Sequence, residues 1–222
     1  MGASMVVDSP DEVRVRTREQ LMLGASQIKL TAGGGVASPH SPLDASTFTE
    51  AELRAAVEAA GNWGTYVTVH AYTAAAIKGA IAAGVKCIEH GHLMDESSAK
   101  LMAEHGIWLS TQPFPDAAAE VFPPGSFERE KALQVIAGNN TVYTLAKKYR
   151  LKTAFGTDVL FSQALASSRV LCWPVWCAGS RRRKHSSWRH IPTPSYSRCP
   201  GSAAPTAASW VSWKKARWQT CF

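Results

Sequence analysis

Apolar and polar positions follow two rhythms over the first two-thirds of this chain, and the sequence switches between them at short intervals. From Asp11 to Gly24 the apolar residues recur at helical spacing, and the glycine closes the run. QIKL follows at once as a short apolar strand. Thr49 opens the most regular helix, because Thr49-Glu50-Ala51-Glu52 has the Thr-x-x-Glu form in which hydroxyl and carboxylate each satisfy an end-of-helix amide. YVTVHAY then alternates and is rich in β-branched and aromatic residues, which predicts a strand. AAAIKGAIAAG predicts a helix closed by Gly84, and VKCIEHGH the next strand. Asp95 to Gly106 is helical in pattern, IWLSTQP extended, Glu128 to Tyr149 a single helix, and LKTAFGTD extended again.

Strands alternating with helices argue for βαβ units and a parallel sheet. Five strands are expected, ending near Leu30, Val69, Glu89, Thr111 and Thr157. In a (β/α)8 barrel, chemistry is assembled at the C-terminal ends of the strands. Those ends carry Lys29, His70, His90 with His92, Gln112 and Asp158. His70 and His90 are one strand–helix repeat apart, so adjacent strands would aim both imidazoles at one point. Imidazole and carboxylate groups converging from separate strands are the donors of a hydrolytic metal site. Lys29 is unusual, since a cation inside a strand is costly unless paired or modified. Structural readings stand beside these: core histidines at His70 and His90, a snorkelling lysine at Lys29, a helix N-cap at Asp158. His92 is equally a substrate contact or a loop histidine. His40 and His105 are expected at the surface and Cys87 in the core. Gly33-Gly34-Gly35 lacks the Gly-Lys-Ser/Thr of a phosphate loop and reads as a flexible turn.

The segments IKLTAGGGVASPHSPLD, TEAELRAAVEAAGNWGTYVTVHAYT, VKCIEHGHLMDE, WLSTQPF and AFGTDV carry a resemblance. Together they resemble the amidohydrolase superfamily, in its branch of imidazolonepropionase-like enzymes, Xaa-Pro dipeptidases and ochratoxin amidases. The resemblance implies an α/β fold, here a partial (β/α)8 TIM-type barrel comprising strands four to eight, with a binuclear Zn2+ centre. It implies that Lys29 is carboxylated to a carbamate bridging two metals. It assigns His70 and His90 to the second metal, and Asp158 to the first metal and to general-base catalysis. His92 and Tyr72 are the expected substrate contacts, and the substrate is a small amide or an Xaa-Pro-like dipeptide. The family's first-strand His-x-His pair has no counterpart, since the one His-x-His here, His90 and His92, lies in the sixth-strand motif. Four of the six expected protein ligands are present, so activity of the chain as written is in question.

Charge changes the picture near residue 168. The net charge of +7 is the sum of unlike parts: residues 1–168 carry 14 Lys/Arg and 17 Asp/Glu, residues 169–222 carry 10 Lys/Arg and no acid. The second part also holds six of the eight Trp and four of the five Cys. A partial barrel over residues 1–167 and a largely unstructured tail over residues 168–222 are therefore expected. SRRRKH with interleaved Trp allows a nucleic-acid arm as an alternative, and the cysteine spacing matches no common zinc finger. A regrouping of codons explains the tail better. Shifted by one base, Ser209–Phe222 can be written KLGVLEEGALADLL, and Gly179–His190 can give FTPAEALKLAT, both of which resemble this superfamily's C-terminal segments. A single-base frameshift near residues 165–169 is inferred, and no nucleic-acid partner is expected. No apolar run approaches the roughly 18 residues of a membrane span, and the N-terminus has no apolar core of a signal peptide. A cytoplasmic protein follows, with self-association left open.

Overall fold

A computed structural model of the protein describes residues 4–158. In chain order the elements are α1 (Pro10–Met22), β1 (Ile28–Thr31), α2 (Glu50–Asn62), β2 (Val67–Thr73), α3 (Ala74–Ala82), β3 (Cys87–Leu93), α4 (Glu96–Glu104) and β4 (Trp108–Thr111). A 3-10 turn (Asp116–Val121), α5 (Phe127–Ala137), α6 (Asn139–Lys148) and β5 (Lys152–Phe155) complete it.

Local chemistry sets the helix starts. The Thr49 hydroxyl accepts the Glu52 amide, and the Glu52 carboxylate accepts the Thr49 amide at 2.7 Å, closing the capping box at the start of α2. Asp95 and Ser98 close a second such box at α4, and Ser9, Thr73 and Ser126 cap α1, α3 and α5 through one side-chain acceptor each. Gly84, at φ +93°, takes the left-handed turn that ends α3 and returns the chain to β3.

All five strands are parallel, in the order β1-β2-β3-β4-β5. A doubly wound sheet reverses its strand order at a switch point; this one never reverses, so successive crossovers lay their helices on one face. Leu30, Val69, Ile88, Leu109 and Thr153 form a register row that faces those helices. There Val69, Ile88 and Leu109 pack with Ile77, Ala80, Ala99 and Met102 in the main core, all of them essentially without solvent exposure. Full burial of a side chain such as Ile77 or Leu109 contributes roughly 1.5–3 kcal/mol. The architecture is α/β with a singly wound parallel sheet, consistent with part of a (β/α)8 barrel.

One expected element needs correction. The helix expected from Glu128 to Tyr149 is two helices, broken at Gly138. That residue sits so close to β3 that a Cβ would lie 2.2 Å from the His92 carbonyl oxygen, so the chain steps aside between α5 and α6. The segment before α5 includes the 3-10 turn. The domain break expected near residue 168, the basic tail and the frameshift inferred for it all fall outside the described residues. Among the described residues no helix is long and apolar enough to cross a membrane.

Candidate metal centre

The sheet face opposite the helices carries the polar side chains. Its two register rows are Lys29, Thr68, Cys87, Trp108, Lys152 and Thr31, His70, Glu89, Ser110, Ala154. By strand alternation His90, paired with Ala71, belongs to the helix side. The backbone overrides this. His90 and Gly91 have φ of +76° and +69°, and the register between β2 and β3 shifts just beyond them. This bulge swings the His90 ring over to the His70 side. A non-glycine residue held at such φ costs on the order of 1–3 kcal/mol and persists only where its surroundings hold it. Here the Thr111 hydroxyl donates to the His90 carbonyl at 2.8 Å.

The two rings meet edge to face with centroids 4.5 Å apart. His70 Nε2 lies 2.9 Å from the Gly34 carbonyl oxygen. A carbonyl only accepts, so Nε2 carries the proton and Nδ1 of the neutral ring keeps a lone pair. Burial, and then the nearby Lys29 charge, hold His70 below the ordinary imidazole range against the opposing effect of the Gly34 bond. His90 is pushed lower still, by burial first and then by His70, His92 and Lys29. Both rings are therefore neutral at physiological pH, the form in which imidazole ligates. The Gln112 amide nitrogen lies 2.6 Å from His90 Nδ1 and 3.4 Å from Asp158 Oδ2, tying β4 and the end of β5 to the ring.

The structure brings Lys29 and Asp158 to the same end. Lys29 Nζ pairs with Glu89 Oε2, and the Thr68 hydroxyl donates to the other Glu89 oxygen at 3.0 Å. Asp158, at φ +49°, places Oδ2 3.9 Å from His90 Nδ1 with its side chain 35% exposed. Burial pushes its carboxyl up to about 6, against the pull of Lys29 and with a further push from Glu89. The Tyr72 ring is buried among His70, His90 and His92, at centroid distances of 4.9, 4.8 and 6.1 Å. Burial raises its phenol, which stays protonated. His92 is set deeper: it is 0% exposed, packs on Phe114 at 5.0 Å and lies 2.9 Å from the Gln112 carbonyl oxygen. His40 and His105 are exposed and Cys87 is buried.

Among the described residues no group of three or more His, Cys, Asp or Glu is placed to hold a metal ion. The donor set fits in part: His70 offers a free lone pair, and its second nitrogen is anchored on protein oxygen, as metal-ligating imidazoles usually are. Glu89 and Gln112 matter more than their sequence positions suggest. The available signal was an acid and a base, Glu89 and Lys29, both placed inside otherwise apolar strands.

With this geometry in hand, the relatives can be placed. The family profile of the Amidohydrolase family matches residues 1–141. Ochratoxinase from Aspergillus niger is 34% identical over 164 residues, 71% of this chain and 33% of the relative. A prolidase solved in complex with N-methylphosphonate-L-proline is 39% identical with a TM-score of 0.66, covering 71% of this chain and 40% of that one. A Xaa-Pro dipeptidase solved with methionine in its active site is 32% identical with a TM-score of 0.63, covering 77% and 43%. The chain thus spans about a third of the length of the curated relative it matches. With a profile match over most of its length and a singly wound sheet that superimposes on these enzymes, the chain belongs to the amidohydrolase family.

Proposed function

We propose that this chain carries part of the active site of a metal-dependent hydrolase acting on amide bonds, of an Xaa-Pro dipeptide or a small N-acyl or cyclic amide. The observation that carries the reading is the imidazole pair: two neutral rings from adjacent parallel strands, 4.5 Å apart, one donating its Nε2 proton to a backbone carbonyl. The structures of a prolidase and a Xaa-Pro dipeptidase at above 30% identity support the substrate class. His70 through Nδ1 and His90 through Nε2 would hold a zinc ion. His90 becomes a donor at Nε2 when the Gln112 amide turns over, so that its oxygen accepts the Nδ1 proton. The chemistry supplied with zinc bound is Lewis acidity, which polarises a carbonyl and lowers the pKa of water toward ~7.

The remaining roles fall to the protein's own groups. Asp158, with its carboxyl pushed up to about 6, is ionised at neutral pH yet basic enough to accept a proton at Oδ2. Tyr72 stays a neutral donor that can orient an oxygen of the substrate, and His92 packs beside the Tyr72 ring. Lys29 Nζ lies against the Glu89 carboxylate as an ion pair. Carboxylation would set an anion beside that carboxylate, and the positive charge of a bound metal is what would offset the repulsion.

A second reading, a chain that binds one ion without turnover, is favoured by the lack of a third His, Cys, Asp or Glu ligand among the described residues. Zinc titration of the purified chain, with an assay on Xaa-Pro dipeptides and N-acyl amides, separates the two. The expected result is weak binding of a single zinc ion, abolished in His70→Ala, with no turnover. Robust peptidase activity would show that the chain is catalytically complete; zinc binding unchanged in His70→Ala would remove the imidazole site altogether.

A further inference from the structure

The loop between β1 and α2 is built rather than loose. It contains the triple glycine Gly33-Gly34-Gly35, expected from sequence to be a flexible turn, and the structure corrects that expectation. Gly33 pairs with Ser46 in an isolated antiparallel bridge, and the Ala32 amide donates to the His70 carbonyl at 3.0 Å. Gly34 is pressed against the far side of its own loop: a Cβ there would lie 1.6 Å from the Pro42 carbonyl oxygen. Only glycine allows the approach, and it is the Gly34 carbonyl that holds His70 Nε2.

What keeps this loop closed comes from a distant part of the chain. Lys131, on α5, is 2% exposed, one of the most buried large side chains in the molecule. An ammonium has three N–H donors, and here each has a backbone acceptor: the carbonyls of Gly35 at 2.7 Å, Ser38, and Ser41 at 2.9 Å. The Phe127 ring lies beneath the charge, 4.5 Å from Nζ to its centroid. Around this anchor Leu43 of the loop, Val135 of α5 and Tyr72 of β2 form a small separate core, with Val36 packed against it. Lys131 thus gathers three carbonyls that flank Gly34 on its C-terminal side. Without the ammonium those oxygens lose their common donor, and because Ser38 is exposed and Gly35 and Ser41 half-buried, the loop can open so that water takes its place.

We propose that Lys131 is a positioning residue for the imidazole site. Its ammonium locks the β1–α2 loop so that the Gly34 carbonyl fixes the orientation and tautomer of His70. The inference deepens the metal-site reading and rests on it only for the effect on zinc. The tautomer effect stands on the apo protein.

The test uses the full chain and two substitutions, Lys131→Met, which keeps the apolar stem, and Lys131→Arg, which keeps charge and donors. The His70 ring nitrogens are followed by long-range proton–nitrogen NMR correlation, and zinc affinity by titration with the metal alone. In the wild type, His70 should show a single tautomer protonated at Nε2. In Lys131→Met the ring should become a mixture of tautomers and zinc affinity should fall about tenfold or more, while the amides of β2 and β3 keep their exchange protection. Lys131→Arg should lie nearer the wild type than Lys131→Met does. A Lys131→Met protein with the wild-type His70 tautomer would overturn the proposal, as would an unchanged loop. If the tautomer shifts as expected but neither protein binds zinc, the positioning role stands and the metal reading fails. Should Lys131→Met not fold, the wild type still answers. The His70 ring proton and the loop amides should then exchange with one common opening rate, and clearly different rates would overturn the proposal.

Discussion

At the level of single residues, this site owes its properties to burial more than to charge pairing. His92 has no exposure, and burial lowers its pKa to about 4 from the ordinary 6.5, despite the Gln112 carbonyl and the nearby Asn139 side chain, which favour its charged form. The unfolded chain therefore takes up a proton on this ring more readily than the native protein does. The linked stability is present above pH 6.5 and is lost as pH falls toward 4, at up to about 1.4 kcal/mol per pH unit. His70 and His90 shift in the same direction and add to the loss. Asp158 works the other way. With its carboxyl raised from 3.8 to about 6, its contribution is present below 3.8 and fades as pH rises through 6. Its exposure to solvent makes it the smaller influence. Urea unfolding of the metal-free protein should show stability falling between about pH 7 and about pH 4.5. A flat or rising profile would mean that these rings are not held neutral by the fold.

Among the secondary-structure elements, two glycines in similar sequence surroundings have opposite roles. Gly79 sits in α3 with nothing near the place a Cβ would occupy, so it weakens the helix without serving any contact. Gly79→Ala should stabilise the protein by about 0.5–1 kcal/mol, in line with the helix preference of alanine. Gly138 separates α5 from α6 where the chain touches the His92 backbone. Gly138→Ala should destabilise by roughly 1–3 kcal/mol, because the helix junction must back away from β3. Chemical denaturation of both variants checks the pair, and equal effects would contradict the close approach. The helix starts were legible, since the capping box at Thr49 is a local arrangement that needs no distant partner. The break at Gly138 was legible only in part: Gly138-Asn139-Asn140 is a local helix-end signal, but the close approach that divides the helix there is to a strand far away in sequence.

For the whole molecule, the working face is one side of a five-stranded sheet whose outermost strands, β1 and β5, each pair on one side only among the described residues. The matched stretch covers 33% to 43% of the length of these relatives. The acidic balance of residues 1–168 and the basic balance of residues 169–222 make a separable prediction. A chain ending at residue 168 should keep His70-dependent zinc binding and lose any salt-sensitive retention on DNA. If DNA retention survives the truncation, the basic segment is not its source. Sequencing the gene should show an open frame one base away beyond residues 165–169. Stop codons throughout that frame would eliminate the frameshift.

The sequence by itself determined the order and kind of nearly every element, because periodicity, caps and terminal glycines act over a few neighbouring residues. It also assigned Lys29, His70, His90 and Asp158 to separate strand–helix repeats of one parallel sheet, although β2 and β3 run past their expected ends to Thr73 and Leu93, so both histidines lie within their strands. Tertiary structure alone decided how those residues meet. The left-handed turn at His90 moves its ring across the sheet, Glu89 takes Lys29 as its partner, and Lys131 reaches back some ninety residues to close the loop that holds His70. Each of these depends on a backbone bend or a contact between segments distant along the chain, and neither leaves a periodic trace in the order of the amino acids.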